Sequence, residues 1–194
     1  MCRNIIYSSV AAFVVRSEFN RFITIHWQKG GLTDREAAWA TGRFIKYCSD
    51  WMRHHRSPCV WLWVRENDGD QGRIGTHVHI LFHVPPDLAP LFRKFPYRWI
   101  KLISTCKPMK GMLKSKTIRG YSSLVSSPEL YLANLDYYVH YILKAAPADV
   151  ADRLCLRFSE KRGRVIGKRA AVCQLLLERI KSARRPLMLG DLSE

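Results

Sequence analysis

Two neighbouring stretches decide the expected fold, namely VWLWVRE at residues 60–66 and THVHILFHV at residues 76–84. Both are rich in β-branched and aromatic residues, which is typical of strands. Asparagine, aspartate and glycine dominate residues 67–72 between them, and these residue types favour a tight turn. The two stretches therefore predict a β-hairpin.

The chain that precedes this hairpin predicts a mixed fold. A strand is expected at residues 21–27, and Thr33 with Glu36 matches the capping box of a helix that should run to about His54. A helix thus connects the first two strands, whereas a short turn connects the second and third. We therefore predict an α+β fold, in which helices pack on one face of a central sheet, rather than a doubly wound fold.

Local signals predict the later elements. Ser127 followed by Pro128 is a favoured helix opening, with proline in the first turn. We assign residues 1–150 to one domain and residues 151–194 to a basic helical extension that packs on it. The expected elements are a short helix at 87–102, a strand at 121–125, a helix at 127–146 and a last helix at 170–181.

The predicted third strand carries two histidines on one face. Alternate residues of a strand share a face, so His77 and His79 lie opposite the apolar Val78 and Ile80. Two imidazoles on an exposed strand face can bind one metal ion, and the hairpin can place Glu66 beside them. The alternative is a pair of surface histidines. We expect His83, on the same face, to be structural.

The predicted helix after Ser127 carries a second set of chemical groups. At helical spacing, Tyr137, Tyr141 and Lys144 share one side, away from an apolar stripe. A tyrosine can act as a nucleophile, and a nearby cation favours its phenolate form. The alternative is packing tyrosines and a surface lysine. The expected apolar stripe comprises Leu132, Leu135, Val139, Ile142 and Ala146.

The charge of the chain indicates a polyanionic partner. The 194 residues include 32 Lys and Arg against 16 Asp and Glu, a net charge of +16. Nucleic acid is the default partner of so basic a chain, although solvated basic loops are the alternative. The residues that we expect to contact DNA are Lys107, Lys110, Lys114, Lys116, Arg119, Arg164, Lys168 and Arg169.

The cysteines and the hydropathy pattern bear on the compartment. The six cysteines are scattered and form no CxxC pair, which argues against a zinc-structural domain and favours reduced thiols in the cytoplasm. No apolar stretch approaches the roughly 20 residues that a membrane span needs. We therefore expect a cytoplasmic protein with no membrane partner.

Three motifs, taken together, resemble those of the HUH endonucleases. This superfamily includes rolling-circle replication initiators, conjugative relaxases and single-strand transposases. Its order is a strand motif, a His-hydrophobic-His motif and a tyrosine helix, which here are residues 22–25, residues 77–79 and residues 137–144. The segment 141–144 matches the Tyr-x-x-Lys form of replication initiators. Tyr137 and Tyr141 resemble the two-tyrosine form of some initiators, but His140 stands where that form has a lysine. Whether Tyr137 is a second nucleophile is therefore left open.

The resemblance, which spans roughly residues 20–145, implies a fold, an activity and a set of site residues. The fold is a central antiparallel sheet of the ferredoxin or RNA-recognition type. The activity is cleavage of single-stranded DNA that leaves a 5′-phosphotyrosine and a free 3′-OH. By the same resemblance, His77, His79 and Glu66 hold the metal, and Tyr141 is the primary nucleophile.

The cofactor, the partners and the rival functions complete the expectation. Two imidazoles and a carboxylate facing phosphate oxygens suit Mg²⁺ or Mn²⁺. The expected partners are single-stranded DNA, an origin hairpin and a host helicase. We expect initiation of rolling-circle replication of a plasmid, phage or mobile element. The alternatives are an HUH transposase or relaxase, or a non-catalytic nucleic-acid-binding protein.

Overall fold

A computed structural model describes residues 1–67, 75–104, 108–160 and 163–184. Within these ranges the chain forms one five-stranded antiparallel sheet and seven α-helices. The expected α+β class is confirmed. No helix of these ranges combines the length and the apolar character needed to span a bilayer.

The described residues contain five strands and seven α-helices in mixed order along the chain. The strands are β1 (Arg21–His26), β2 (Trp61–Glu66), β3 (His77–Phe82), β4 (Leu113–Thr117) and β5 (Ala170–Val172). The helices are α1 (Cys2–Val14), α2 (Asp34–His54), α3 (Ala89–Phe92), α4 (Phe95–Ile103), α5 (Pro128–Ile142), α6 (Ala148–Arg153) and α7 (Gln174–Arg184).

The order of the strands across the sheet is β4-β1-β3-β2-β5, and every neighbouring pair is antiparallel. The first four strands, with α2 and α4 between them, follow the β-α-β-β-α-β sequence of a ferredoxin-like sheet. β5 adds a fifth strand beside β2. As a result, β1 and β3 are neighbours in the centre of the sheet, although 50 residues separate them in sequence and they approach only in the folded chain.

The sheet is covered on both faces, so the prediction of helices on a single face was wrong. On one face, α2 and α4 bury the side chains of Ile23, Val78 and Ile80. On the other, α1, α5 and α7 enclose a second core that includes Phe22 and Leu81. Both faces of β3 are buried as a consequence, because the strand lies between two apolar layers.

The two helices expected from capping signals are present. The Thr33 side chain accepts from the backbone of Glu36, and the Glu36 carboxylate accepts from the backbone N–H of Thr33. α5 begins at Pro128 but ends at Ile142, four residues before the predicted end. The last turn that was predicted as helical, residues 143–146, therefore lies outside α5. As a result, the Lys144 side chain does not point where a helical residue at that position would point.

Three other local predictions were wrong. Residues 87–102 form two short helices with a break at residues 93–94, and the expected strand at 121–125 is a single turn of 3₁₀ helix. The strand lies at 113–117 instead. Lys114 and Lys116 alternate there with mostly polar residues, so the segment lacks the apolar face that is typical of a strand. Residues 170–172 form β5 before α7 begins at Gln174, because the apolar run there pairs with β2.

Candidate functional site

The hairpin of β2 and β3 brings together one carboxylate and two imidazoles. Glu66 and His77 are direct cross-strand partners. Each of Glu66, His77 and His79 offers one ligand atom, and these atoms lie within 4.8 Å of one another. The three residues thus form a possible metal-binding triad, from the same residues that the sequence predicts as ligands.

Hydrogen bonds orient both imidazoles for this role. The His77 Nδ1–H donates to the Gly75 carbonyl at 2.8 Å, which leaves Nε2 facing Glu66 Oε2 at 3.3 Å. On β1, Thr24 Oγ1 holds the His79 Nδ1 at 3.0 Å. A metal-binding histidine usually anchors its second ring nitrogen in this way. Both Nε2 atoms therefore point toward the same small volume.

The cluster is buried, contrary to the expectation of an exposed strand face. His77 and His79 are each 3% exposed, and Glu66 is fully buried. Among the described residues, no group hydrogen bonds to His79 Nε2. Burial is costly for such an atom unless a partner or a cation satisfies it. The His79 Nε2 therefore fits a metal ion better than a merely structural role.

Burial and neighbouring charges set the protonation of this cluster. Burial lowers the pKa of His79 well below its usual value, and the charges of His77 and Lys144 lower it further against the opposing effect of Glu66. Burial alone would raise the pKa of Glu66, but its contacts with His77, His79 and Lys144 lower that pKa to about 2. A neutral imidazole and an ionised carboxylate are the forms that bind metal ions.

Lys144 lies in the same cluster and is 1% exposed, which corrects its predicted position with the tyrosines on the outer side of the helix. Its Nζ approaches Glu66 Oε1 at 2.8 Å and Oε2 at 2.7 Å. It also lies 4.1 Å from the centre of the Tyr141 ring. Since α5 ends at Ile142, Lys144 turns back toward the sheet, where it connects the carboxylate to the tyrosine.

Tyr141 is the tyrosine next to the histidines. Its ring meets the His79 ring edge-on, with 5.2 Å between centroids. Tyr138 stacks on Phe22 of β1 at 4.3 Å and so fixes the rotation of α5 over the sheet. The sequence placed Tyr138 between the two sides of the helix, and Phe22 belonged to the strand motif at residues 22–25 without a role in the site.

Tyr137 packs against Tyr141 and is the more exposed of the two tyrosines. The two rings are nearly parallel at 6.1 Å, and Tyr137 is 45% exposed. The Phe158 ring packs edge-on against both tyrosines, with centroid distances of 5.4 Å to Tyr137 and 6.2 Å to Tyr141. His140 accepts a hydrogen bond from the Arg157 backbone N–H at 3.2 Å. The residue that departs from the two-tyrosine pattern therefore helps to attach the following segment.

His26 is a cavity residue that the sequence analysis did not single out. It pairs with His77 across the strands, and the two ring centroids are 5.4 Å apart. Thr24 belonged to the strand motif at residues 22–25 but was given no role in the site. Period-2 alternation places Thr24 and His26 on the same face of β1 as Phe22. That this face lies beside the histidines depends on the pairing of β1 with β3.

Two of the predicted DNA-contacting residues, Lys114 and Lys116 on β4, line the cavity of the histidines and tyrosines. Lys107 lies outside the described residues. The Arg169 guanidinium donates to the Ala145 carbonyl at 2.9 Å, next to the end of α5. The remaining predicted residues, Lys110, Arg119, Arg164 and Lys168, are exposed and do not line this cavity.

The site is a cavity of about 360 Å³ that is lined by the two histidines of the possible metal triad, by three tyrosines and by two lysines. This arrangement can hold a phosphate between a cation and a phenol. A scan against protein-family models, a search of curated proteins and a search of solved structures found no match to the chain.

Proposed function

We propose that this protein nicks and rejoins single-stranded DNA through a 5′-phosphotyrosine intermediate, as the HUH endonucleases that its motifs resemble do. The observation that carries the proposal is the position of Tyr141, whose ring lies 5.2 Å from the His79 ring and over the Lys144 ammonium that pairs with Glu66. A nucleophile, a metal triad and cationic side chains in one cavity suit phosphoryl transfer.

The proposed reaction uses the phenol of Tyr141 as its nucleophile. The phenolic oxygen of Tyr141 attacks the phosphorus, an O–P bond forms, and the bond to the 3′-oxygen breaks. The phenolic proton passes to water, and water supplies the proton that converts the departing 3′-oxygen to the free 3′-OH. Attack of a 3′-OH on the phosphotyrosine reverses these steps and rejoins the strand. Lys144 positions Glu66 and favours negative charge on the adjacent phenol.

The triad suits Mg²⁺ or Mn²⁺, since two imidazoles and one carboxylate leave positions for phosphate oxygens. Such an ion, when bound, withdraws charge from the scissile phosphate. Lys114 and Lys116 supply further positive charge at the mouth of the cavity. The biological setting that we propose is initiation of rolling-circle replication of a plasmid, phage or other mobile element.

The decisive experiment is a denaturing-gel assay for a covalent protein–DNA adduct. Wild type, Tyr141→Phe, Tyr137→Phe and His79→Ala would be mixed with labelled single-stranded oligonucleotides tiled across the protein's own replicon, with Mn²⁺ or with chelator. We expect a metal-dependent adduct that Tyr141→Phe and His79→Ala abolish. Tyr137→Phe serves as the matched control, because it removes a neighbouring phenol.

The other outcomes separate the rival functions. Loss of the adduct only in Tyr137→Phe would keep the reaction but move the nucleophile. Metal-independent binding with no adduct on any tiled oligonucleotide would favour a non-catalytic nucleic-acid-binding protein. Cleavage only at the palindromic ends of an element would favour transposition over replication.

A further inference from the structure

A second groove, of about 570 Å³, lies on the opposite side of the edge strand β4 from the metal cavity. Side chains alternate along β4, so Lys114 and Lys116 face the cavity while Ser115 and Thr117 face the groove. β4 therefore separates the cavity from the groove and presents polar side chains to both. Its outer edge has no neighbouring strand among the described residues.

Two arginines line this groove. Arg21 of β1 donates to Thr117 Oγ1 at 2.9 Å, and Arg93 comes from the break between α3 and α4. Neither forms an ion pair with a carboxylate of the described residues. Burial lowers the pKa of Arg21, and the Arg93 charge lowers it further while Tyr121 opposes this effect. Two neighbouring guanidiniums without an acidic partner favour an anion between them.

Apolar side chains from the region around α3 also line the groove. Pro86, Pro90 and Pro96 are among them, on the same part of the chain that supplies Arg93. A groove that combines guanidinium and hydroxyl groups with apolar proline rings can contact both the phosphates and the apolar parts of a nucleotide chain. Phosphates bind arginine in a bidentate manner, whereas bases and sugars pack on apolar surfaces.

We infer that this groove binds the sugar–phosphate backbone of the same single strand that enters the metal cavity, so that the strand passes over the edge of β4 with Arg21 and Arg93 on its phosphates. The inference rests on the proposed function, because it extends the path of the same substrate. Bidentate arginines and the exposed edge of β4 would then hold the DNA that flanks the scissile phosphate.

The test is the dependence of binding on oligonucleotide length. Fluorescence anisotropy would be measured in chelator with the Tyr141→Phe protein, so that cleavage contributes nothing. Oligonucleotides of about 6 and about 16 nucleotides would be compared, since sites for single strands span about 4 to 16 nucleotides. Arg93→Ala is the main variant, because Arg93 is exposed and its loss should not disturb the core. Arg3→Ala, an exposed arginine of α1 that lines neither groove, is the matched control.

We expect Arg93→Ala to weaken binding of the longer oligonucleotide about 3- to 10-fold while leaving the shorter one unchanged. The slope of log affinity against log salt should become shallower by about 0.7 for each phosphate that the variant no longer neutralises. Arg21→Lys, which keeps the charge but removes the bidentate geometry, should have a smaller effect in the same direction.

Equal behaviour of Arg93→Ala and Arg3→Ala at both lengths would overturn the inference. Competition by a polyglutamate peptide as strong as that by DNA of equal charge would also overturn it, in favour of an acidic peptide in the groove. The adduct assay with wild type reports separately on the proposed function. A covalent adduct without any length-dependent effect of Arg93→Ala would refute DNA binding in the groove and would leave the proposed function intact.

Discussion

Thr24 controls the direction of a candidate metal ligand without touching the ion itself. Its hydroxyl holds His79 Nδ1 at 3.0 Å from the neighbouring strand. Removal of such an outer hydrogen bond typically lowers metal affinity 10- to 100-fold. At the scale of single residues, the site therefore depends on side chains that carry no chemistry of their own.

Thr24→Val should weaken Mn²⁺ binding by about 10- to 100-fold, because the His79 ring would lose its anchor while keeping its packing. Isothermal titration calorimetry with Mn²⁺ alone measures this. Thr41→Val is the matched control, since Thr41 is equally buried and hydrogen-bonded but belongs to α2 on the opposite face of the sheet. Equal affinities of the two variants would contradict the prediction.

Lys144→Met should reduce the free energy of unfolding by about 3–5 kcal/mol in chelator, because it leaves the buried Glu66 carboxylate without its ammonium partner. Added Mn²⁺ should restore more stability to this variant than to wild type, since the ion replaces the missing positive charge. Urea titrations with and without Mn²⁺ measure both effects. The double variant Glu66→Gln/Lys144→Met should recover most of the loss, and strict additivity of the two changes would contradict this account.

His83 should make the protein less stable in mild acid. It is 6% exposed, and its Nδ1–H donates to the Glu18 carbonyl at 2.7 Å. Burial lowers its pKa, more than the Glu18 hydrogen bond raises it. The unfolded chain therefore takes up the proton first, and the free energy of unfolding falls as the pH drops below about 6.5, the pKa of an unperturbed histidine.

Replacement of His83 by Gln, which retains a donor, should make the pH dependence shallower between pH 7 and pH 5. Urea unfolding at several pH values in chelator compares the two proteins. Because the other histidines are common to both, their contribution cancels. Parallel curves would show that His83 does not titrate differently on folding.

At the scale of elements, the turn before α5 sets where the tyrosines lie. Gly120 has a φ of +88°, and a Cβ there would lie 2.5 Å from the backbone nitrogen of Tyr131. Tyr131 in turn donates its hydroxyl to the Phe19 carbonyl at 2.7 Å and is fully buried. The start of α5 is thus pressed against the chain that enters β1.

Gly120→Ala should lower the free energy of unfolding by about 1–3 kcal/mol, since it combines a strained φ with a clash against backbone. Gly42→Ala is the matched control, because Gly42 lies in the exposed interior of α2 with no atom within 4 Å of the added methyl group. That change should stabilise the protein by about 0.5–1 kcal/mol. Thermal unfolding followed by circular dichroism distinguishes the opposite signs, and shifts of equal sign would contradict the prediction.

At the scale of the whole molecule, a buried ion pair joins parts of the chain that are far apart in sequence. Arg65 is fully buried and pairs with Asp34 at the start of α2. The same guanidinium donates to the Ile166 carbonyl at 2.9 Å, and the Thr76 hydroxyl donates to Asp34 at 2.8 Å. The segment that leads into β5 is therefore attached to the sheet beside the metal triad.

Arg65→Met should cost about 3–5 kcal/mol, because a nearly buried carboxylate loses its cation. It should also raise the rate of trypsin cleavage within residues 163–169, where the backbone loses its attachment. The double variant Asp34→Asn/Arg65→Met should regain part of the stability. Unchanged cleavage of the single variant would show that the ion pair does not hold this segment.

The hairpin, α2, α5 and the candidate set Glu66, His77 and His79 could be predicted from the sequence. Each depends on local rules, namely period-2 alternation and capping residues, which act over a few neighbouring residues. The turn predicted at residues 67–72 lies, beyond Asn67, outside the described residues. The proximity of Glu66 to the histidines follows from the antiparallel pairing of two consecutive strands. The candidate metal ligands could therefore be named before their surroundings were known.

Only the tertiary structure decided that the histidine face is buried, that Lys144 pairs with Glu66, and that Thr24 and His26 belong to the site. These facts depend on β1 lying beside β3 and on α1, α5 and α7 covering the second face. Such contacts join residues tens of positions apart, and their free energy comes from burying the apolar sides of several elements at once. A local pattern can say which residues share a face, but only the packed chain determines what covers it.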